Sequence, residues 1–241
     1  QINCDMQIYA KPFLLAAIIF ESIIISASVN AVLDLDVIGD GFHRSLNYKI
    51  DIHGLNESNC AISLHVLLPP EIYVNVDEIA DLKRLGKALA CSVGEIDVEL
   101  FAEKAKPQNV TICEDLKASK SVLLSLPVHQ RYKFSENDGG YVPVNIPYPK
   151  LLIGCVKRLK EHRVSGIDIC SPCVDLARKW REIPYRMESV NESWQIPVGN
   201  LSHLNKVSYV TLLVTGIGAA VVLRSILRLK IRGDSNVVKE D

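Results

Sequence analysis

The sequence lacks an excess of either charge. Its 241 residues include 27 Lys and Arg against 28 Asp and Glu, which gives a formal net charge of −1. This balance excludes a nucleic-acid binder that works through bulk positive charge, and 48% hydrophobic residues exclude a disordered chain. Long apolar runs are also scarce, since they occur only towards the two ends, and this excludes a polytopic membrane protein.

Common catalytic motifs are absent as well. The chain has no G-x-S-x-G elbow, no phosphate-binding loop and no H-E-x-x-H zinc motif. Its six histidines are scattered, and we interpret His43 and His129 as structural polar groups rather than general bases. The Asp-x-Asp sequence at Asp34 and Asp36 is interpreted as part of a solvated N-terminal arm. We therefore predict no catalytic residue, no cofactor and no metal site.

The first apolar run has the features of a secretory signal peptide. A basic start precedes a nine-residue charge-free stretch, and small residues end the run. This stretch would span only about 13 Å as a helix, and Glu21 separates it from the next apolar residues, which disfavours the alternative of a retained signal anchor. We predict a signal peptide over residues 1–31, with 1–5 as upstream sequence. Cleavage is expected after Ala31 or, nearly as well, after Ser28.

The second apolar run predicts one membrane span that contacts membrane lipid. Residues 207–223 carry no charge and would form a helix of about 25 Å, which suits a thin bilayer. Basic residues are concentrated just after the span, and Lys206 is the only one shortly before it, so the positive-inside rule places the tail 224–241 in the cytosol. The segment 32–206 is then a luminal domain, and the chain is a single-pass type I membrane protein.

Period-two alternation of apolar and polar residues predicts β-structure in the luminal segment. The alternating stretches lie at 46–52, 62–68, 96–100 and 122–128. Helical spacing predicts a helix over 77–90 and a second over 174–183. We expect a mainly β fold, an antiparallel β-sandwich with one or two short helices, followed by the transmembrane helix.

Six cysteines in the luminal segment are candidates for up to three disulfides, because the lumen oxidises thiols. They are Cys60, Cys91, Cys113, Cys155, Cys170 and Cys173. The sequence does not choose among the possible pairings. The last two form a C-x-x-C that is also compatible with redox chemistry, although the predicted strands are not arranged as in a thioredoxin-like βαβ unit. Zinc is disfavoured because a second C-x-x-C and a companion histidine pair are lacking.

Sequons for N-glycosylation all lie on the predicted luminal side, which supports the topology. Asn56, Asn109 and Asn191 are the predicted acceptors. A fourth sequon at Asn200 lies only six residues before Lys206, and we expect the nearby membrane to block its modification.

Four runs of sequence lie in one order between residue 40 and the span. They are Asp40-Gly41-Phe42-His43-Arg44, Leu68-Pro69-Pro70-Glu71-Ile72-Tyr73-Val74 with Asp77, Leu126-Pro127-Val128-His129-Gln130-Arg131-Tyr132, and Gln195-Ile196-Pro197-Val198-Gly199. In content, order and spacing these runs resemble the phosphatidylinositol-glycan biosynthesis class X family. Their residues are expected either to contact a partner or to define the core, and the sequence does not decide which.

The resemblance implies a non-catalytic function in the endoplasmic reticulum membrane. Class X proteins are the stabilising subunit of GPI mannosyltransferase I, and their partner is a multispan catalytic subunit known as class M. That partner adds the first mannose to the GPI-anchor precursor. Two other functions stay open on the residues alone: a type I cell-surface receptor or adhesion ectodomain, and a luminal oxidoreductase at Cys170 and Cys173.

Overall fold

The computed structural model of the chain describes residues 29–116, 120–190 and 194–237. Most of the predicted signal peptide and the sequon at Asn191 lie outside these ranges. The described strands and helices, in chain order, are β1 (Asn30–Ile38), β2 (His43–His53), β3 (Cys60–Leu68), β4 (Ile72–Tyr73), α1 (Val76–Arg84), β5 (Leu89–Gly94), β6 (Gln108–Leu116), β7 (Ser121–Gln130), β8 (Gly140–Pro143), β9 (Lys150–Cys155), β10 (Arg181–Glu182), β11 (Tyr185–Val190), β12 (Gln195–Val198) and α2 (Leu204–Val237). Short 3₁₀ turns occur at Cys173–Leu176 and Leu201–His203.

Two five-stranded sheets form the domain, and they share one hydrophobic core. The first sheet has the strand order β11-β1-β2-β7-β4, and the second has the order β10-β9-β3-β6-β5. Strands β8 and β12 pair in a separate ribbon. The pairs between these strands are antiparallel except β1 with β11. The predicted mainly β sandwich is confirmed, with one parallel pair added.

The alternating stretches explain why the central strands form where they do. In β2 every second residue from Leu46 to Ile52 is buried, and β7 shows the same pattern from Leu124 to Gln130. The intervening residues face away from the core, as period two requires. The first half of strand β3 is buried on both faces, because Trp180 packs with Ala61 on the side away from the main core.

The predicted strand at 96–100 is wrong. Local side chains replace a sheet partner there: the Glu95 carboxylate accepts a hydrogen bond from the Asp97 N–H, and the Asp97 carboxylate accepts one from the Glu99 N–H. Such side-chain acceptors offer the backbone an alternative to a ladder. The stretch is therefore a loop between β5 and β6.

The first helix prediction was too long, and the second was wrong. Helix α1 begins with Asn75 as its N-cap and ends at Arg84, because Gly86 follows with a φ of +65°, the left-handed conformation that ends helices. The second prediction, 174–183, contains only the end of a 3₁₀ turn and the short strand β10.

The interpretation of Asp34 and Asp36 as a solvated arm is also wrong. Both lie in β1, which pairs with β2 along its whole length and with β11 on its other side. Strand β1 begins inside the predicted signal peptide, and the side chains of Val29 and Ala31 are buried in the core. Cleavage after Ser28 would leave this strand complete, whereas cleavage after Ala31 would remove its first two residues.

All six candidate cysteines form disulfides. The bonds are Cys60–Cys155, Cys91–Cys170 and Cys113–Cys173. The first joins neighbouring strands of the second sheet, and the other two attach the segment before β10 to β5 and β6. The two cysteines of the C-x-x-C thus bond to different partners, which argues against a redox dithiol at this position.

The long helix α2 lies apart from the core of the domain. Within the described ranges, one segment, Leu201–Arg228, is long and apolar enough to cross a membrane, with a mean hydropathy of 2.1. Its side chains are exposed rather than packed against the domain. This segment includes the predicted span 207–223.

Candidate functional site

The runs that carry the family resemblance converge at one end of the first sheet. Strand β2 begins at this end and β7 finishes there, so that His43 lies directly opposite His129. On the other side of β7, Tyr73 of β4 also lies opposite His129. Cross-strand partners project from the same face of a sheet, and these three side chains therefore form a row on the face turned away from the core.

Helix α1 follows β4 after a short turn and brings Glu78 to this row. One oxygen of the Glu78 carboxylate is 3.3 Å from Nε2 of His43, and the other is 2.8 Å from Nε2 of His129. The His129 ring stacks on Tyr73 with 5.3 Å between ring centroids. The two histidines are thus hydrogen-bonded polar groups, in agreement with the interpretation from sequence.

The inward-facing residues of the same runs close the end of the core. The indole N–H of Trp194, which is buried, donates a hydrogen bond of 3.0 Å to the side-chain oxygen of Gln130. The Arg44 guanidinium lies over the Trp194 ring, 4.8 Å from its centroid. Arg44 and Gln130 therefore hold the segment that leads to β12 against the first sheet.

Arg131 joins this end of the sheet to the loop between β5 and β6. Its guanidinium donates hydrogen bonds to the backbone oxygens of Asp97 and Leu100, at 2.6 and 3.1 Å. The same group lies over the Tyr73 ring, 4.4 Å from its centroid. Burial lowers the pKa of Arg131, while Tyr73, Glu95 and Asp97 act in the opposite direction. A buried cation, Arg131, thus holds a largely exposed loop against the sheet.

Four exposed aromatic residues surround this fastening, and we call them the aromatic ledge. Phe42 contacts Tyr132 with 4.7 Å between ring centroids, and Phe101 contacts Phe134 with 4.8 Å. Hydrogen bonds from the Ala102 N–H to the Tyr132 oxygen, and from the Phe134 N–H to Glu103, join the two pairs. The four rings are between 39% and 66% exposed. Contiguous exposed apolar surface of this kind is typical of interaction sites.

The ledge continues into the segment that enters the apolar helix. The Glu136 N–H donates to the Gly199 oxygen, and the Leu201 N–H donates to the Glu136 oxygen, each at 2.9 Å. A Cβ at Gly199 would lie 2.7 Å from Oγ of Ser135, so a larger residue there would require the Ser135 side chain to rotate. Phe134 is two residues from Glu136, or about 7 Å of extended chain. The ledge is therefore near the start of the candidate span.

The structure separates the motif residues by exposure. Arg131 is buried, and Arg44, Pro127 and His129 are half-buried. The exposed members are Asp40, Gly41, Phe42, His43, Tyr132, Pro197 and Gly199. Sequence reasoning missed Glu78, Trp194, Phe101 and Phe134. Of these, Glu78 had a usable signal, since Asn75 is a good N-cap residue and places Glu78 in the first turn of a helix.

The predicted glycosylation sites differ in their surroundings. Asn56 is exposed in the loop before β3, and Asn109 is exposed on β6. The Asn200 side chain is hydrogen-bonded at both ends of its amide: its oxygen accepts from the backbone N–H of Ser202 at 2.8 Å, and its nitrogen donates to the Asp138 backbone oxygen at 3.0 Å. These bonds give a further reason to expect little modification at Asn200.

Over the residues that the structure describes, these features define a disulfide-bonded β-sandwich with exposed aromatic residues beside one C-terminal apolar helix. The sequence profile of the PIG-X / PBN1 family matches residues 39–227, most of the chain. The chain therefore belongs to the PIG-X / PBN1 family, as the four runs of sequence predicted.

Curated relatives from mammals cover most of the chain. A human protein named "GPI alpha-1,4-mannosyltransferase I, stabilizing subunit" is 26% identical over 212 residues, which are 82% of this chain and 80% of the relative. The proteins of the same name from Mus musculus and Rattus norvegicus are each 23% identical over 206 residues, with 82% of this chain and 81% and 82% of the relatives covered. These names agree with the accessory, non-catalytic role that the resemblance implied.

Proposed function

We propose that this chain is the stabilising, non-catalytic subunit of a GPI mannosyltransferase I in the endoplasmic reticulum membrane. The observation that carries the proposal is the family match over residues 39–227, together with three relatives named for this role. The same match favours this function over a cell-surface receptor or adhesion protein. The disulfides of Cys170 and Cys173 to other cysteines argue against a luminal oxidoreductase.

The partner in this proposal is the multispan catalytic subunit, class M, and the aromatic ledge is the surface that binds it. Aromatic residues are enriched at protein interfaces and supply much of their binding energy. The ledge lies beside the entry to the apolar helix, where a membrane-embedded partner is within reach. Binding to the folded partner raises that partner's stability by mass action, which needs no catalytic group in this chain.

The proposed topology places the β-domain in the lumen and the C-terminal tail in the cytosol. The leader, the luminal domain, the span 207–223 and the tail 224–241 keep their predicted order. Three disulfides support an oxidising compartment for the domain. Basic residues after the span support a cytosolic tail.

Depletion of this chain from its own cells tests the proposed function. We expect the steady-state level of the catalytic subunit and the amount of GPI-anchored protein at the cell surface to fall together. Re-expression of the intact chain should restore both. Unchanged levels of the partner and of surface GPI proteins after complete depletion would overturn the proposal.

The type of N-glycan separates this function from a cell-surface role. We expect endoglycosidase H to shift the electrophoretic mobility of the chain, because a protein that resides in the endoplasmic reticulum keeps high-mannose glycans. Substituting Asn56→Gln and Asn109→Gln should each remove part of this shift, since both side chains are exposed. Resistance to endoglycosidase H with sensitivity to peptide N-glycosidase F would show passage through the Golgi and favour the receptor.

A further inference from the structure

The cluster of His43, Glu78 and His129 has the composition of a metal site. Its nitrogen and carboxylate oxygen atoms all lie within 4.8 Å of one another. The three residues come from β2, α1 and β7, and the fold supplies a histidine pair that no local sequence motif contains. We propose that this cluster binds a divalent transition-metal ion, with Zn²⁺ as the preferred ion.

The donor set suits zinc. Two imidazole nitrogens and one carboxylate oxygen are a recognised set of three protein ligands for Zn²⁺, with water in the fourth position. Zinc–ligand distances of about 2.0–2.2 Å place tetrahedral donors about 3.3 Å apart. The two nitrogen–oxygen separations are already 3.3 and 2.8 Å. Because the two separations end on different oxygens of Glu78, the carboxylate would hold the ion through both oxygens, and the more exposed His43 ring would turn towards it.

The exposure of the cluster allows an ion to enter. The side chain of His43 is 59% exposed, whereas those of His129 and Glu78 are 25% and 30% exposed. An ion would thus reach the cluster from the His43 side, and water would complete its coordination there. The His129 ring is held from behind by stacking on Tyr73, which fixes its orientation.

Charged groups of both signs lie around the row that holds the cluster. The Arg131 guanidinium lies over the Tyr73 ring of this row, 4.4 Å from its centroid. The carboxylates of Glu78, Glu95, Asp97 and Glu99 act electrostatically on Tyr73 or Arg131. Arg44 turns to the opposite side of the sheet, where its guanidinium packs on Trp194. Of the groups that act on Tyr73, which stacks on His129, Glu78 and Glu99 are acidic and Arg131 is basic.

Direct titration of the full-length chain in detergent with Zn²⁺ tests this proposal. We expect saturable binding of one Zn²⁺ per chain by calorimetry, and a visible absorption spectrum of tetrahedral Co²⁺ when cobalt replaces zinc. The variants His129→Gln and Glu78→Gln should each weaken Zn²⁺ affinity at least about tenfold, because each removes one ligand. The matched control His53→Gln, at the opposite end of β2, should bind like the unmodified chain.

Thermal unfolding supplies a second readout. Zinc should raise the unfolding temperature of the intact chain and of His53→Gln, but not that of the ligand variants, because only binding to the folded state stabilises it. If either ligand variant does not fold, the proposal is tested on the intact chain alone, by its cobalt spectrum and by the number of Zn²⁺ ions bound per chain. No saturable binding of Zn²⁺ up to about 1 mM, or equal affinity in Glu78→Gln, would show that the cluster only fastens α1 to the sheet.

Discussion

Replacing Phe42 and Tyr132 together by serine is expected to lower sharply the recovery of the catalytic subunit with this chain from mild detergent. The two rings contact each other at 4.7 Å and are 39% and 66% exposed, so they offer apolar surface at small cost to the fold. Loss of two aromatic anchors typically removes several kcal/mol of binding free energy. Because each 1.4 kcal/mol is about tenfold in affinity, we expect recovery to fall by at least about tenfold.

A matched control removes the same kind of surface elsewhere. Leu123 and Val156 are 63% and 87% exposed and lie away from the ledge, the first near the start of β7 and the second after β9. The double variant Leu123→Ser, Val156→Ser should recover the partner as well as the intact chain does. If both double variants recover the partner equally, the ledge is not the interface, and the proposed stabilising function then has to use another surface or the span.

Much of the sandwich could be predicted because its central strands alternate strictly. Every second side chain faces the core in Leu46 to Ile52 and in Leu124 to Gln130. In a sheet with one buried face, a shift by one residue would expose all of these apolar side chains, so the pattern determines which face is buried. The stretch 96–100 shows the same alternation but is a loop. Its acidic side chains accept hydrogen bonds from nearby backbone N–H groups, which compete with strand pairing. The pattern of apolar residues contains no information about these hydrogen bonds.

The site was predicted only as separate pieces. The family resemblance selected His43, His129 and Arg131, but their meeting depends on the register of β2 against β7, which joins distant parts of the chain. Phe101 and Glu78 belong to neither strand. The turn after β4 brings Glu78 to the site, and the Arg131 hydrogen bonds hold the loop that precedes Phe101. The N-cap at Asn75 marks the helix that carries Glu78, but no local pattern shows which strands either residue meets.

Arg131 is a motif residue whose buried position predicts a role in folding rather than in contact with a partner. Arg131 is only 3% exposed and donates to two backbone oxygens of a loop that has no sheet partner. Buried carbonyls that lose their donors cost free energy, whereas exposed ones return to water. The loop at 97–100 therefore depends on this side chain for its position, and Phe101 of the ledge directly follows that loop.

Substituting Arg131→Met should lower the free energy of unfolding of the luminal domain by about 2–4 kcal/mol, since a buried hydrogen-bonded cation and its contact with Tyr73 are lost. Urea unfolding followed by tryptophan fluorescence measures this change. The chain has two tryptophans, Trp180 and Trp194, and both are buried in the domain, so the signal reports the domain and not the apolar helix.

The matched control is Arg186→Met, which removes an exposed arginine whose ion pair with Glu188 has little effect on stability. The Arg131→Met variant keeps all four aromatic residues of the ledge. At temperatures where its domain remains folded, it should therefore recover more of the catalytic subunit than the Phe42→Ser, Tyr132→Ser variant does. A stability equal to that of Arg186→Met would contradict the structural role of Arg131. The two variants thus separate folding of the site from contact by the site, which the shared sequence motif does not distinguish.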